Sequence, residues 1–146
     1  MYVAKAVMTK AVVTIPATAT VQEAIRLLVK NKISGAPVVD DRQRLAGIIS
    51  EFQLMEVVFD PALRSSAVSD FMTKDLITVG EDSLLSDIVS LFVMHRIRRL
   101  PVVRDGRLLG LIARRDVLAY ADKHWSELER FVAGVRVLAG TDCAEE

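Results

Sequence analysis

Ile33-Ser34-Gly35-Ala36-Pro37-Val38-Val39 returns, at an offset of 64 (97 minus 33), as Ile97-Arg98-Arg99-Leu100-Pro101-Val102-Val103, and this recurrence decides the fold. Working outward, Met8-Thr9-Lys10 falls on Met72-Thr73-Lys74, Thr14 on Thr78, Leu27 on Leu91, Val29 on Val93 and Asp41 on Asp105. One residue is then lost, and with an offset of 63 (107 minus 44) Arg44-Leu45 matches Arg107-Leu108, Gly47 matches Gly110 and Ile49 matches Ile112. The single gap sits between Asp41 and Arg44, in a charged turn where a deletion costs least. A self-similarity of this span means one supersecondary unit built twice.

Each unit reads as strand, helix, strand, hairpin, strand, helix. Residues 12–15 (Val-Val-Thr-Ile) and 76–79 (Leu-Ile-Thr-Val) are β-branched-rich and predict the first strands. Thr20 and Glu23 form a capping-box pattern, and Val21, Ala24, Ile25, Leu28 and Val29 follow at i, i+3, i+4, i+7 and i+8, one apolar helical stripe. Leu85, Ile88, Val89, Phe92 and Val93 repeat the stripe, but Leu84 replaces the cap, so capping there is expected from Asp82 or Ser83. Residues 36–39 and 45–50, then 100–103 and 107–112, predict two hairpins, the second turning on Asp105-Gly106, a pair suited to positive φ. Closing helices are expected to start near Glu51 and Arg114, with Pro61 ending the first of them. These readings divide the chain into a first repeat over 1–60, a linker over 61–69, a second repeat over 70–121 and a C-terminal segment over 122–146. In that last segment residues 125–138 predict an amphipathic helix, with Trp125 as a packing anchor or interface residue.

Composition narrows the function. Hydrophobic residues make up 51% and charged residues 26%, the balance of a chain that folds around a core. Nineteen Lys and Arg offset nineteen Asp and Glu, so nothing draws the whole molecule to nucleic acid or an anionic membrane, and any anion site must be local. The single cysteine, Cys143, rules out an intramolecular disulfide, and no leader-like or membrane-spanning apolar run stands near either end, so a cytoplasmic protein is expected. His95 and His124 have no metal-ligand spacing, and neither a Gly-rich phosphate loop nor a nucleophile elbow is present, so neither an enzyme nor a metal or cofactor site is expected.

Residues 97–103 followed by 106–118 (Gly-Arg-Leu-Leu-Gly-Leu-Ile-Ala-Arg-Arg-Asp-Val-Leu) resemble a cystathionine-β-synthase (CBS) domain. Residues 33–39 with 45–50 are similar in the first half, and the likeness covers roughly residues 8–120. The resemblance implies an α/β (α+β) fold, a tandem pair of β-α-β-β-α repeats about a pseudo-twofold axis with a cleft on either side. It further implies a homodimer that binds AMP, ADP, ATP or S-adenosylmethionine and regulates an effector protein; the alternative is a dimerisation or partner-binding scaffold with empty clefts.

Carried onto this chain, the family's ribose-binding carboxylate is Asp116, where a carboxylate can accept from both hydroxyls of a diol. Its usual Ser or Thr partner is here Ala113. In the first repeat Ser50 is kept, but Gln53 stands at the carboxylate position. The Asp116 cleft is therefore expected to be the better nucleotide site, and the Gln53 cleft weak, altered in specificity or empty. Arg98 or Arg99 is expected on phosphate, and because a phosphate near the axis can be reached from either repeat, the sequence does not say which ribose they serve. The adenine slot would be lined by Thr14, Ile15 and Pro16, and by Thr78, Val79, Ile97, Leu100 and Pro101.

Overall fold

The computed structural model of the protein describes residues 2–127. After a short turn of helix α1 (Ala4–Val7), the first repeat runs β1 (Ile15–Pro16), α2 (Val21–Asn31), β2 (Gly35–Val39), β3 (Leu45–Ser50) and α3 (Glu51–Met55). Two 3₁₀ turns, Pro61–Leu63 and Val68–Asp70, lead to the second repeat: α4 (Leu85–His95), β4 (Arg99–Arg104), β5 (Arg107–Ala113) and α5 (Arg114–Lys123). β1 pairs parallel to β2, and β2 antiparallel to β3; β4 and β5 form the matching hairpin. Both hairpins are irregular at the same place, between Val38 and Val39 and between Val102 and Val103.

The expected first strands are shorter than their β-branched runs. Residues 12–14 are not in strand, and in the second repeat only Val79 makes a bridge, parallel to Val102. The reason is that the leading segment of each repeat belongs partly to the other. Thr9 pairs with Leu111 of the second repeat, and Thr73 pairs with Ile48 of the first, through bonds of 2.8–3.0 Å. Residues 10–14 must therefore travel from one sheet to the other. Val3 bridges Leu84 as Ala67 bridges Thr20. Shifting each pair by the repeat offset turns one bridge into the other, the signature of a pseudo-twofold axis. Arg44 and Arg107, which pair with each other, lie on that axis.

The exchange also builds the cores. Ile15, Val21, Leu28, Val38 and Ile49 pack in the first with Val68, from the stretch expected to be linker. Ile88, Phe92, Leu100, Val102 and Ile112 pack in the second with Ala4 and Val7 of α1. The helix starts are closed the same way. Thr20 Oγ1 accepts from the Glu23 N–H (3.1 Å), but no return bond from Glu23 forms; instead Val21 and Gln22 donate to the carbonyls of Ser66 and Arg64. At α4 neither Asp82 nor Ser83 caps the helix. Ser83 Oγ accepts from the Gly80 N–H (3.0 Å), and Leu85 N–H donates to the Tyr2 carbonyl (2.7 Å), so backbone from the exchanged segment satisfies the orphan donor.

Pro61 opens a 3₁₀ turn capped by Asp60 rather than ending a helix, since α3 already stops at Met55. Asp105 and Gly106 take φ of 51° and 80°, the positive values a two-residue hairpin requires. Trp125 is exposed, and the helix expected over 125–138 lies, beyond Glu127, outside the described residues.

Candidate functional site

Two cavities share Ser50, Arg98 and Arg99 as walls. One, about 290 Å³, is lined from the first repeat by Ile48, Ser50 and Gln53, and from the second by residues of two segments, 73–77 and 97–99. The other, about 400 Å³, adds Ser34, Glu51, Phe52 and Met55. Small-molecule sites begin at about this size.

The position of each wall follows from the exchange. The end of β3 delivers Ser50 and, one helical turn later, Gln53. Thr73 arrives from the other repeat because its backbone is zipped to Ile48. Gln53 joins them: its Oε1 accepts from the Ser50 N–H (2.8 Å) and from the Ser50 hydroxyl, while Nε2 donates to Thr73 Oγ1 (2.7 Å). The Ser50 N–H fixes which end of the amide is oxygen, because a flipped amide would set two donors face to face.

Arg99 reaches across the repeat boundary and donates through Nη2 to Ser34 Oγ. Burial, and after it the neighbouring Arg98, lower the pKa of Arg99, with Glu51 opposing. Neither arginine forms an ion pair among the described residues, so the half-buried guanidinium of Arg99 and the exposed one of Arg98 put unpaired positive charge on one wall. Such a wall attracts an anion.

The structure thus gathers Arg98, Arg99, Ile97, Ser50 and Gln53 around one space. Asp116 is on the wall of neither cavity; it stands where Gln53 stands in the first repeat, and its Oδ2 accepts from the Ala113 N–H (2.7 Å) as Gln53 accepts from Ser50. Its Oδ1 makes no hydrogen bond among the described residues. Arg98 and Arg99 thus share a cavity with Gln53, and Asp116 does not line it.

Of the residues expected around adenine, Ile97 lines the first cavity. Ile15, Val79, Leu100 and Pro101 are buried in the two cores, Thr14 is half-buried, and Thr78 and Pro16 are exposed. Thr73, Asp75, Leu76, Ile77 and Ser34 are cavity walls that sequence reasoning misses. A signal for Thr73 lies in the repeated Met-Thr-Lys, which marks the segment that crosses between repeats. Among the described residues no cluster of three or more His, Cys, Asp or Glu could hold a metal, and no helix is long and apolar enough to cross a membrane.

Comparison with known proteins fits this architecture. The model of the CBS domain matches twice, over residues 4–60 and 68–123. The chain is 36% identical over 135 residues to an inosine-5'-monophosphate dehydrogenase of Aquifex aeolicus, covering 89% of this chain but 27% of that protein. It is 30% identical over 120 residues to the uncharacterized protein MJ1225 of Methanocaldococcus jannaschii, covering 82% of this chain and 43% of that one. The chain thus spans less than half of either relative. Among solved structures, CBSX2 in complex with AMP superposes with a TM-score of 0.77 at 30% identity, covering 84% of this chain and 98% of CBSX2. A putative acetoin utilization protein (AcuB) of Vibrio cholerae gives 0.80 at 25% identity, covering 89% and 97%.

Proposed function

Since the chain belongs to the CBS-domain family and carries two copies of the domain in tandem, we propose that it is a non-catalytic, cytoplasmic regulatory module. It binds an adenine nucleotide or related adenosyl ligand between its repeats and signals occupancy to a partner protein. The observation that carries this reading is the pair of arginines, Arg98 and Arg99, which form no ion pair among the described residues and stand on the wall of a cavity that both repeats build. The AMP bound in the similar CBSX2 supports the ligand class. Phosphate would lie against Arg98 and Arg99 with the Ser34 and Ser50 hydroxyls beside it, and the apolar Ile77 and Ile97 would border the base. In the second repeat, Asp116 Oδ1 would accept from the ribose of a second ligand.

A thermal-shift panel of AMP, ADP, ATP, S-adenosylmethionine and inorganic phosphate tests the proposal. A ligand that binds only the folded chain raises its melting temperature with concentration. The phosphorylated nucleosides are expected to do so at or below millimolar concentration, and no shift from any of them would refute the sensor.

Exposed apolar side chains favour a second element of the reading, association with a second copy of the chain. Val29 and Val93 hold equivalent positions on α2 and α4 and are 72% and 71% exposed; Met55 and Leu118, equivalent on α3 and α5, are 69% and 70% exposed. A surface that repeats itself about a pseudo-twofold axis can meet its own copy with the same contacts on both sides. If the clefts stay empty, this face would make the protein a dimerisation or partner-binding scaffold.

A further inference from the structure

We infer that the arginine-walled cavity selects its ligand by the anionic end and is indifferent to the 2'-hydroxyl, so that it accepts ribonucleoside and deoxyribonucleoside phosphates alike. The inference rests on the nucleotide reading above and follows from how the side chain of Gln53 is used. An amide has two acceptor sites and two N–H donors. Both acceptor sites of Gln53 are taken by Ser50, one by its N–H and one by its hydroxyl, and one donor is taken by Thr73 Oγ1. One N–H is left. A vicinal diol held by its own two protons needs acceptors, and Gln53 has none to give.

The same bonds give Gln53 another task, because Thr73 belongs to the other repeat. Turning the amide toward a sugar would break a contact that ties the two halves together. The remaining Gln53 N–H, the guanidinium groups of Arg98 and Arg99, and the Ser50 hydroxyl, which can still accept, leave a wall of mainly donors. Donors read acceptors, and phosphate oxygens are the strongest ones a nucleotide carries.

One carboxylate on this cavity could take over the diol, that of Asp75. It is exposed and makes no hydrogen bond or ion pair among the described residues, so gripping a diol would require ordering a side chain that nothing pre-positions. Glu51 lines only the adjoining cavity, beside the arginines.

The test uses the full chain carrying Asp116→Asn, which removes the charged ribose acceptor of the second repeat while keeping an oxygen for the Ala113 N–H. Titration calorimetry with AMP and with 2'-deoxy-AMP is expected to give dissociation constants within about threefold of each other, less than the roughly fivefold a typical neutral hydrogen bond is worth. Adding Gln53→Asp should create a preference for AMP of about tenfold, the value of a charge-assisted bond to the hydroxyl. A tenfold preference for AMP already present with Gln53 in place overturns the inference and points to Asp75. If neither nucleotide binds the unsubstituted chain at millimolar concentration, the nucleotide reading itself falls and takes the inference with it.

Discussion

The guanidinium of Arg99 occupies the space that a side chain on Gly35 would fill: its Cζ lies 2.6 Å, and its Nη1 2.7 Å, from where a Cβ on Gly35 would stand. These two residues are counterparts at equivalent positions 35 and 99 of the two repeats. Where one repeat has no side chain, the long side chain of the other crosses the boundary and fills the gap. That places one guanidinium at the junction of the halves, bonded to Ser34 and facing the cavity.

Gly35→Ala should therefore act on binding more than on folding. Gly35 does not use a positive φ, and the obstructing atoms are the tip of a flexible side chain, which can swing away. Stability is expected to change by less than about 1 kcal/mol, while AMP affinity falls because Arg99 is pushed from its place. Denaturant unfolding beside calorimetric titration checks this. Unaltered affinity would mean that the position of Arg99 does not matter to the ligand.

Gly47→Ala and Gly110→Ala should behave in the opposite way. A Cβ at Gly47 would stand 2.8 Å from the Thr73 carbonyl oxygen and 2.6 Å from Met72 Sδ; at Gly110 it would stand 2.9 Å from the Thr9 carbonyl oxygen and 2.7 Å from Met8 Sδ. Here the obstacle is backbone held in a cross-repeat pairing, and it cannot move alone. Each substitution is expected to cost about 1–3 kcal/mol in urea unfolding. A loss below half of that would show that the exchanged segments do not bind the sheets as tightly as described.

These glycines show what the sequence makes legible and what it does not. Met-Thr-Lys and the later glycine both appear twice, so the duplication, the hairpins and the helical stripes can be read from one-dimensional spacing. That Met72 and Thr73 pack on Gly47 of the other repeat cannot, because partners so widely separated along the chain leave no local pattern. The same blindness explains the caps. Thr20 is a local signal and forms its bond, whereas the carbonyl that receives the Leu85 N–H belongs to Tyr2, at the start of the other repeat. It explains the site as well. Arg98 and Arg99 are recognisable in the sequence as candidates to face a phosphate, but only the crossing between repeats brings them into one cavity with Gln53.

Asp40 supplies a pH dependence. Its carboxylate closes the first hairpin turn, with Oδ1 accepting from the N–H groups of Arg44 and Arg42 (2.9 Å each) and Oδ2 from Arg44 Nε (3.1 Å). The Arg44 N–H foremost, with desolvation opposing and the Arg42 N–H and Arg44 side chain assisting, holds its pKa below the ordinary 3.8. A depressed folded pKa means that the stabilisation is fully present above that ordinary value and is lost as pH falls through the folded one. Melting temperatures of the wild type and Asp40→Asn should therefore differ near neutrality and converge in acid below pH 3.8. A gap that stays constant down to about pH 2 would contradict a charge-based role.

The apolar helix face predicts the oligomeric state. Light scattering on the eluting protein should give twice the 16.1 kDa chain mass, and Val29→Lys with Val93→Lys should return it to a monomer with both cores intact, since both side chains are exposed. A monomeric wild type would leave that face without the proposed occupant.

Whether the arginine wall holds a nucleotide is decided by a crystal structure of the chain grown with millimolar AMP. Phosphate oxygens are expected within hydrogen-bonding distance of Arg98 and Arg99, in the space bounded by Ser50 and Gln53, with the two repeats still exchanged through Thr9 and Thr73. Nucleotide phosphate bound away from both arginines, or no nucleotide between the repeats at saturating concentration, would contradict the sensor.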